Sequence, residues 1–352
     1  MLGPYPTGIG IYSQHCAATL EQYFDCTVVS SFYKSSSQSH IQSPENIVIG
    51  ASQSAAFKRI LYLWRGFPKL EGLVYSPTHH GIIGHKQQII TILDLIPIQF
   101  KSQHRFQYYY FKYVLPMIMQ SSLAVFTISE SVKREIVSFY NYPRDKIHVI
   151  PCGLDINKYF PSSLEITDSK PYLLVIGAAY YHKNIHELLQ IHKLWAKKYN
   201  LKIIGARGTY QRYLQDIIRQ NCLDNVVEFM SYLSCDELLK TMQGCKALVY
   251  PSLCEGFGMP PLEVMACGRP VILSDIPVHK EICNDAPVYI TPGKVVTWAN
   301  AFSSLGDNLY VDDKIANGLK LVTRYTWQKS GEKLIAALLH VEPALVKSIK
   351  IP

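Results

Sequence analysis

Two α/β lobes, each built on a doubly wound parallel sheet, are what this sequence predicts, and three observations predict it. Short runs of branched apolar residues alternate with helical stretches through the second half of the chain. The first half repeats that plan with less regular spacing. Between the halves, "DINKYFPSSLEITDSKP" is polar and turn-rich, which places a boundary near 155–170. A chain of 352 residues is long enough for two full cores, and with 48% hydrophobic and 18% charged residues it reads as globular rather than disordered.

The elements follow in order. In the first half "TVVSSFY", "LVYSP", "IITILDLIPI", "AVFTIS" and "IHVIPCG" read as strands, with helices around 53–64, 103–120 and 131–141. Gly8 and Gly10, in "GPYPTGIGIYSQH", precede a further helical stretch; as a dinucleotide fingerprint this loop is weak, lacking the full glycine set and a preceding strand. In the second half the strand "YLLVIGA" leads to a helix over 185–199. "LKIIGA", "VVEFMSY", "KALVYPS" and "PVILSD" are further strands, separated by the helices "YQRYLQDIIRQN", "CDELLKTMQG" and "PLEVMACG". Within 103–120, Phe106, Tyr110, Tyr113, Val114 and Met117 form an apolar stripe that reads as core. Lys101, Arg105, Tyr108 and Lys112 form a basic, aromatic one, suited either to solvent or to an anionic membrane surface.

Several classes are excluded or disfavoured. No apolar run approaches the roughly 18–20 residues that cross a bilayer, and the first residues lack the basic start and apolar stretch of a signal peptide. Nine cysteines without a CxxC pair read as the reduced thiols of a cytosolic protein rather than a disulfide frame or zinc site. A formal charge of +8 suits anionic partners. No basic run resembles a nucleic-acid arm, so phosphorylated ligands or an acidic membrane face are favoured over nucleic acid.

Ligands of open parallel sheets sit beyond the carboxyl ends of the strands. "KALVYPS" ends near Ser252, the loop "LCEGFGM" follows, and a helix starts near Pro260, where a missing N–H costs nothing. Backbone N–H groups of the loop and helix start then offer a phosphate site, and Gly258 allows close approach. Glu255 and Glu263 flank that site. A carboxylate repels phosphate, so hydroxyl groups on either side of a diphosphate are their better partners, the pattern of a nucleotide-sugar. The plain alternative is a solvated loop charge at 255 and a helix-start charge at 263 favoured by the macrodipole. In a second loop, "VIGAAYYHKNIHELL", Asn184 and Glu187 have capping-box spacing, and Lys183 stands where an ammonium meets a diphosphate at a helix N-terminus. His79 and His80 follow the strand "LVYSP"; in an extended strand adjacent side chains point apart, so one of the two at most would line a site.

Together these segments resemble the retaining glycosyltransferases of the GT-B fold, family 4, in particular bacterial mannosyltransferases of surface-polysaccharide assembly. The match rests on "EGFGMPPLE", an E-x7-E motif within "VYPSLCEGFGMPPLEVMACGRPVILSDIPVHKE", and extends to "GAAYYHKN", "TGIGIY", "SPTHHG" and "TILDLIPIQF". The resemblance implies two Rossmann-like lobes with the active site in the cleft between them. Residues 1–160 would form an acceptor-side lobe without its first strand, 161–325 a nucleotide-sugar lobe, and 326–352 a helix and tail returning toward the N-terminal lobe. It implies that Lys183 binds the donor diphosphate, Glu255 the sugar hydroxyls and Glu263 the ribose. Gly177, Gly256, Phe257, Gly258 and Met259 would line the donor, while Gly8 and Gly10 would face it from the other lobe. Many relatives carry a histidine near the reacting carbon where this chain has Leu93; Asp94, a catalytic candidate, matches the acidic residue that often follows it, and Ala178 replaces an arginine found in some. His79 and His80 become acceptor-side candidates. No metal or other cofactor is implied. The implied reaction transfers a hexose, mannose from GDP-mannose, to a glycan or lipid-linked glycan in the cytoplasm, at or near the inner face of the plasma membrane. The alternative is a nucleotide-sugar-binding partner subunit without turnover.

Overall fold

The computed structural model describes residues 8–30, 33, 40–44, 55–66, 72–162, 170–231 and 233–350. The chain divides into two compact units: residues up to Gly153 together with those from Trp327 onward, and Leu154–Thr326.

The first unit begins with α1 (Gly8–Tyr23), so Gly8 and Gly10 belong to the first turns of a helix rather than to a loop before it. The segment preceding Gly8, on which the expectation of a missing first strand rests, lies outside the described residues. Short parallel strands β1 (Val28–Ser30) and β2 (His40–Gln42) form a two-stranded sheet, and α2 (Ala55–Leu61) continues into a π-helical turn over Tyr62–Gly66. A four-stranded parallel sheet follows the chain order: β3 (Val74–Ser76), β4 (Gln88–Ile92), β5 (Ala124–Thr127) and β6 (Ile147–Val149). The run "IITILDLIPI" is therefore not one strand. It ends at Ile92, because the Asp94 carboxylate accepts a bond from the Ile96 N–H and Pro97 suits the short helix α3 (Ile96–Gln99).

The helix expected over 103–120 is α4 (Arg105–Tyr109), a π-helical turn (Tyr110–Val114) and α5 (Leu115–Ser121). The apolar stripe is overturned in part. The core side carries Tyr110, Phe111, Leu115, Ile118 and Met119, with Val114 packed against it, and residues beyond the π turn, which takes in an extra residue, are rotated relative to a regular helix. Phe106, Tyr113 and Met117, expected inside, are exposed. Next, α6 (Glu130–Tyr140) is capped by Ser129, which accepts from the Val132 N–H, and stops at Asn141 in the left-handed region.

The second unit holds a six-stranded, wholly parallel sheet. In chain order its elements are β7 (Tyr172–Ile176), α7 (Ile185–Gln190), β8 (Asn200–Ile204), α8 (Gly208–Gln220), β9 (Val227–Met230), α9 (Cys235–Gly244) and β10 (Ala247–Tyr250). Then come α10 (Met259–Ala266), β11 (Val271–Ser274), α11 (Pro277–Cys283), β12 (Val288–Ile290), α12 (Val295–Ser304) and α13 (Asn308–Val322). The strands lie in the order β12-β11-β10-β7-β8-β9. From β7 the sheet grows outward to β9; it then returns to the other side of β7 with β10, so the β7/β10 junction is a topological switch point.

The helix expected over 185–199 stops at Gln190 and is followed by a 3₁₀ turn at His192–Leu194. Trp195, fully buried in the core of this unit, donates its indole N–H to the Leu188 carbonyl at 2.9 Å, anchoring the broken end. Asn184 does not build a capping box. Its backbone is left-handed (φ 58°) and its amide donates to the Glu187 carboxylate at 2.5 Å, while Glu187 also accepts from Gly293 N–H and Trp298 Nε1. A capping box does form at α9, where Ser234 and Glu237 bond reciprocally.

The chain returns to the first unit with α14 (Trp327–Val341), which packs on α1. Gly331 permits that approach: a Cβ there would lie 2.9 Å from Thr19 Oγ1. Ser330 ties the helix to the Pro151 carbonyl at 2.6 Å. Among the described residues no helix is long and apolar enough to cross a membrane, and all nine cysteines are free thiols.

Candidate active site

Two loops leave the sheet at the switch point. The loop after β7 starts at Gly177 (φ 84°), whose N–H donates to the Ile204 carbonyl, and runs to Lys183. The loop after β10 runs from Pro251 to Gly258, and Leu253 N–H donates to the His182 carbonyl at 2.8 Å, lacing the two loops together. Lys183 Nζ donates to Glu255 Oε1 at 2.5 Å and to the Tyr250 hydroxyl at 3.2 Å. Both charged side chains are largely out of solvent, so Glu255 is not the solvated loop charge of the plain alternative. Burial alone would raise the Glu255 carboxyl, but the Lys183 ammonium outweighs it and holds the group down at about 2. Burial works against the Lys183 ammonium too, and Glu255 with Tyr250 more than offsets it, keeping lysine charged.

Gly258 caps α10 with φ 93°, a conformation that leaves glycine the unstrained choice, and Pro260 and Pro261 follow in the first turn. The loop N–H groups at this helix start are thereby presented beside the ion pair. Phe257 turns its ring inward, edge-on to Tyr325 at 5.6 Å, so only its backbone is available to a ligand. Glu263, in the middle of α10, is buried and accepts from the Tyr159 hydroxyl at 3.1 Å. Its carboxyl is pushed up by burial, partly countered by that bond. One of the two glutamates is thus held ionised by a lysine, while burial works against the charged form of the other.

The first unit has its own polar cluster beyond β3 and β4. His79 and His80 do not point apart. The chain bends after Ser76, and their rings lie against one another, centroids 4.1 Å apart. His80 shares a hydrogen bond with Arg59 Nη1 at 3.3 Å and contacts Thr78 Oγ1 at 3.4 Å, and the Tyr110 hydroxyl donates to the His79 carbonyl. Burial, with the Arg59 guanidinium adding to it, lowers the His79 imidazole to about 3, and His80 is lowered as well. Asp94 stands at the end of the neighbouring strand, turned onto the Ile96 N–H at 3.1 Å, after the buried Leu93.

Residues 6–158 match the model of Glycosyltransferase Family 4, and residues 157–309 that of Glycosyl transferases group 1. The chain is 30% identical over 337 residues to the O-antigen chain mannosyltransferase RfbU of Salmonella typhimurium, covering 92% of this chain and 93% of that one. The chain belongs to glycosyltransferase family 4. It is also 28% identical over 235 residues to the O-antigen chain mannosyltransferase B of Escherichia coli, spanning 62% of this chain and 61% of the relative. Among solved structures, Anabaena HepE in complex with UDP-glucose superposes with TM-score 0.72 over 97% of this chain and 98% of that one at 16% identity. Sucrose-phosphate synthase from Thermosynechococcus elongatus gives 0.64 over 87% and 81% at 17% identity. The fold is GT-B, two Rossmann-like units.

In this family 4 glycosyltransferase the structure brings Gly177, Lys183, Glu255, Gly256, Phe257, Gly258, Met259 and Glu263 together on one unit, around the β7/β10 junction and α10. Gly8, Gly10, His79, His80 and Asp94 belong to the other. Sequence reasoning missed two residues at the switch point. Tyr250, the last residue of β10, shares Lys183. His279 of α11 is fully buried, with Nδ1 at 2.9 Å from the Ser274 carbonyl, so Nδ1 carries the proton and Nε2 is left as an acceptor without a partner. Its ring lies under Gly258, where an added Cβ would come 3.6 Å from Cδ2. The signal was present in "DIPVHKE", inside the very segment that carries the motif.

Proposed function

We propose that this glycosyltransferase moves mannose from GDP-mannose, with retention, to a glycan or lipid-linked glycan acceptor in the cytoplasm. The observation that carries the reading is the buried Lys183–Glu255 pair at the switch point, beside the N-terminus of α10. A diphosphate arriving at that helix start would draw on the Lys183 ammonium and on the N–H groups of Phe257, Gly258 and Met259, with Gly177 and Gly256 giving it room. Glu255 would then turn to the sugar hydroxyls, keeping its charge close to the anomeric carbon as that carbon becomes cationic. Glu263, with Oε1 on Tyr159, would accept from the ribose through its other oxygen; hydroxyl donors there favour the ionised form that burial opposes. Asp94, Gly8 and Gly10 would act from the other unit, with His79 and His80 toward the acceptor. The two O-antigen mannosyltransferases among the relatives support the choice of mannose.

On this reading the leaving diphosphate is stabilised by fixed donors and one lysine, without a metal. The test is turnover of labelled GDP-mannose by the purified chain, run beside UDP- and ADP-sugars and repeated in EDTA. Release of GDP and transfer of label that persist in EDTA support the proposal. Loss in EDTA restored by manganese or magnesium overturns the metal-free design. Tight GDP-sugar binding without turnover on any acceptor tried would favour a nucleotide-sugar-binding partner subunit.

A further inference from the structure

His279 is a buried base with nothing on its basic nitrogen. It lies in α11 and is fully out of solvent. Nδ1 faces two oxygens, the Ser274 carbonyl at 2.9 Å and the Ser274 hydroxyl at 3.1 Å. That hydroxyl already donates to the Ser252 carbonyl, so toward the ring it can only accept, and both contacts fix the hydrogen on Nδ1. Nε2 is left as a lone pair without a hydrogen-bond partner. A buried acceptor of that kind costs stability, and none of the donor contacts described for the site uses it.

The surroundings of the ring belong to the donor site. Gly258 at the start of α10 lies over it, where an added Cβ would come 3.7 Å from Nε2, and the Tyr250 ring of β10 stands 5.7 Å away. Burial holds the imidazole below its ordinary range; the Glu255 carboxylate and the bond to Ser274 pull it up, and the Lys183 ammonium adds to the lowering. The other polar groups nearby are occupied elsewhere. Tyr289 of β12 donates to the backbone carbonyl of His279, and Asp275 accepts from the Thr291 hydroxyl. On α11 itself Lys280 is exposed and Glu281 half-buried.

We propose that His279 takes up a proton on Nε2 when the diphosphate of a nucleotide-sugar binds, and so supplies a second positive charge to the donor site. The inference rests on the roles given to Lys183 and Glu255 under the proposed function. In the free protein these two charges cancel across their 2.5 Å contact. A diphosphate brings two negative charges and draws on the same ammonium, which leaves Glu255 less compensated. One cation would then face three negative charges in a place shielded from water, where repulsion is strong. An imidazole beside such charges gains affinity for a proton. Nε2 has the free lone pair to receive it, and Nδ1 keeps its hold on Ser274. The proton comes from solvent and returns there when the nucleotide leaves. His279 acts through Glu255, whose charge it balances, and is a positioning residue for the transfer.

The experiment is calorimetric titration of the full chain with GDP-mannose near neutral pH, in buffers of different ionisation enthalpy, which counts the protons exchanged on binding. Both phosphates of this ligand are esterified and hold no proton in that range, so an uptake belongs to the protein. Net uptake of up to about one proton is expected, with an affinity that falls by up to about tenfold per pH unit as pH rises through the raised value of the bound state. His279→Asn keeps a donor for the Ser274 carbonyl and lacks Nε2; it should bind with the uptake gone and the pH profile flat. Glu263 cannot imitate the signal, because ribose donors that favour its ionised form would release protons. UDP- and ADP-sugars are titrated alongside, so a wrong choice of nucleotide, which would defeat the functional reading, still reports the proton through the one that binds. Binding by the wild type without uptake overturns the proposal, as does uptake that persists in His279→Asn. If that variant does not fold, the wild type decides: an affinity independent of pH between about 6 and 8 overturns it. No binding of any of the three overturns it together with the reading beneath it.

Discussion

The second unit buries a lysine with a glutamate at the ends of its central strands, whereas the first buries an arginine beside two histidines that stay neutral. Both clusters occupy corresponding places, in the loops beyond neighbouring parallel strands. They solve the burial of polar groups differently. A close ion pair keeps both members charged, so a full positive and a full negative charge wait in a site shielded from water. The histidine cluster gives up charge instead, which leaves neutral donors and acceptors suited to hydroxyl groups.

The largest effect should come from breaking the ion pair. Lys183→Met leaves the Glu255 carboxylate buried and unpaired, and should cost about 3–5 kcal/mol of stability by urea denaturation and abolish detectable transfer. Arg59→Met removes a hydrogen bond within the other cluster, for a smaller loss of about 1–3 kcal/mol. Equal losses would erase the distinction between the clusters.

Glu255→Gln keeps the shape of the side chain and removes its charge. Transfer should slow by about a hundredfold or more while free-nucleotide affinity measured by calorimetry changes little. Equal losses in both quantities would move Glu255 from the sugar to the nucleotide.

Acid should separate the two clusters by pH. His79 is lowered from 6.5 to about 3 in the fold, so the unfolded chain takes up its proton first and stability falls as pH drops from 6.5 toward 3. Glu255 is lowered from 4.5 to about 2, so its contribution is intact above 4.5 and is lost between there and 2. Urea midpoints measured across this range should decline first in the upper window, and His79→Gln should make that decline shallower, with His80 supplying the remainder. A decline confined below pH 4.5 in the wild type would remove the histidine cluster as its cause.

Glu263→Gln should have the smallest effect on folding. Burial raises the Glu263 carboxyl in the folded state, a shift that stabilises below the unfolded value and fades as pH rises through the raised one. At neutral pH the amide should therefore leave stability unchanged or slightly improved. Nucleotide affinity should still fall, by roughly 1–3 kcal/mol, in a calorimetric titration with GDP. A destabilised protein with normal affinity would make Glu263 a structural partner of Tyr159 and nothing more.

Much of this was legible along the chain. The alternation of apolar strand runs with helices marked both units, since a strand buried on two faces must be apolar throughout. The glycine and prolines of "EGFGMPP" marked the start of α10, because positive φ and a missing N–H are local constraints. Local rules failed where a tertiary contact took over a residue that they had already assigned. Trp195 and its bond to Leu188 end a helix whose periodicity ran on to residue 199. Glu187, spaced for a cap, is drawn away by Trp298 and Gly293. Phe106, Tyr113 and Met117, assigned to the core, face solvent on the helical segment that the π turn at Tyr110–Val114 interrupts.

The sequence by itself therefore determined the class of fold, the loops that carry chemistry and the types of side chain placed in them. Only the tertiary structure decided which of those loops are neighbours. Lys183 and Glu255 are 72 residues apart, and they meet because β10 returns to lie against β7 instead of continuing outward from β9. The periodicity of a parallel strand reports that both its faces are buried. Its partner is set by pairing across the sheet, and long-range pairing leaves no local trace in the strand itself.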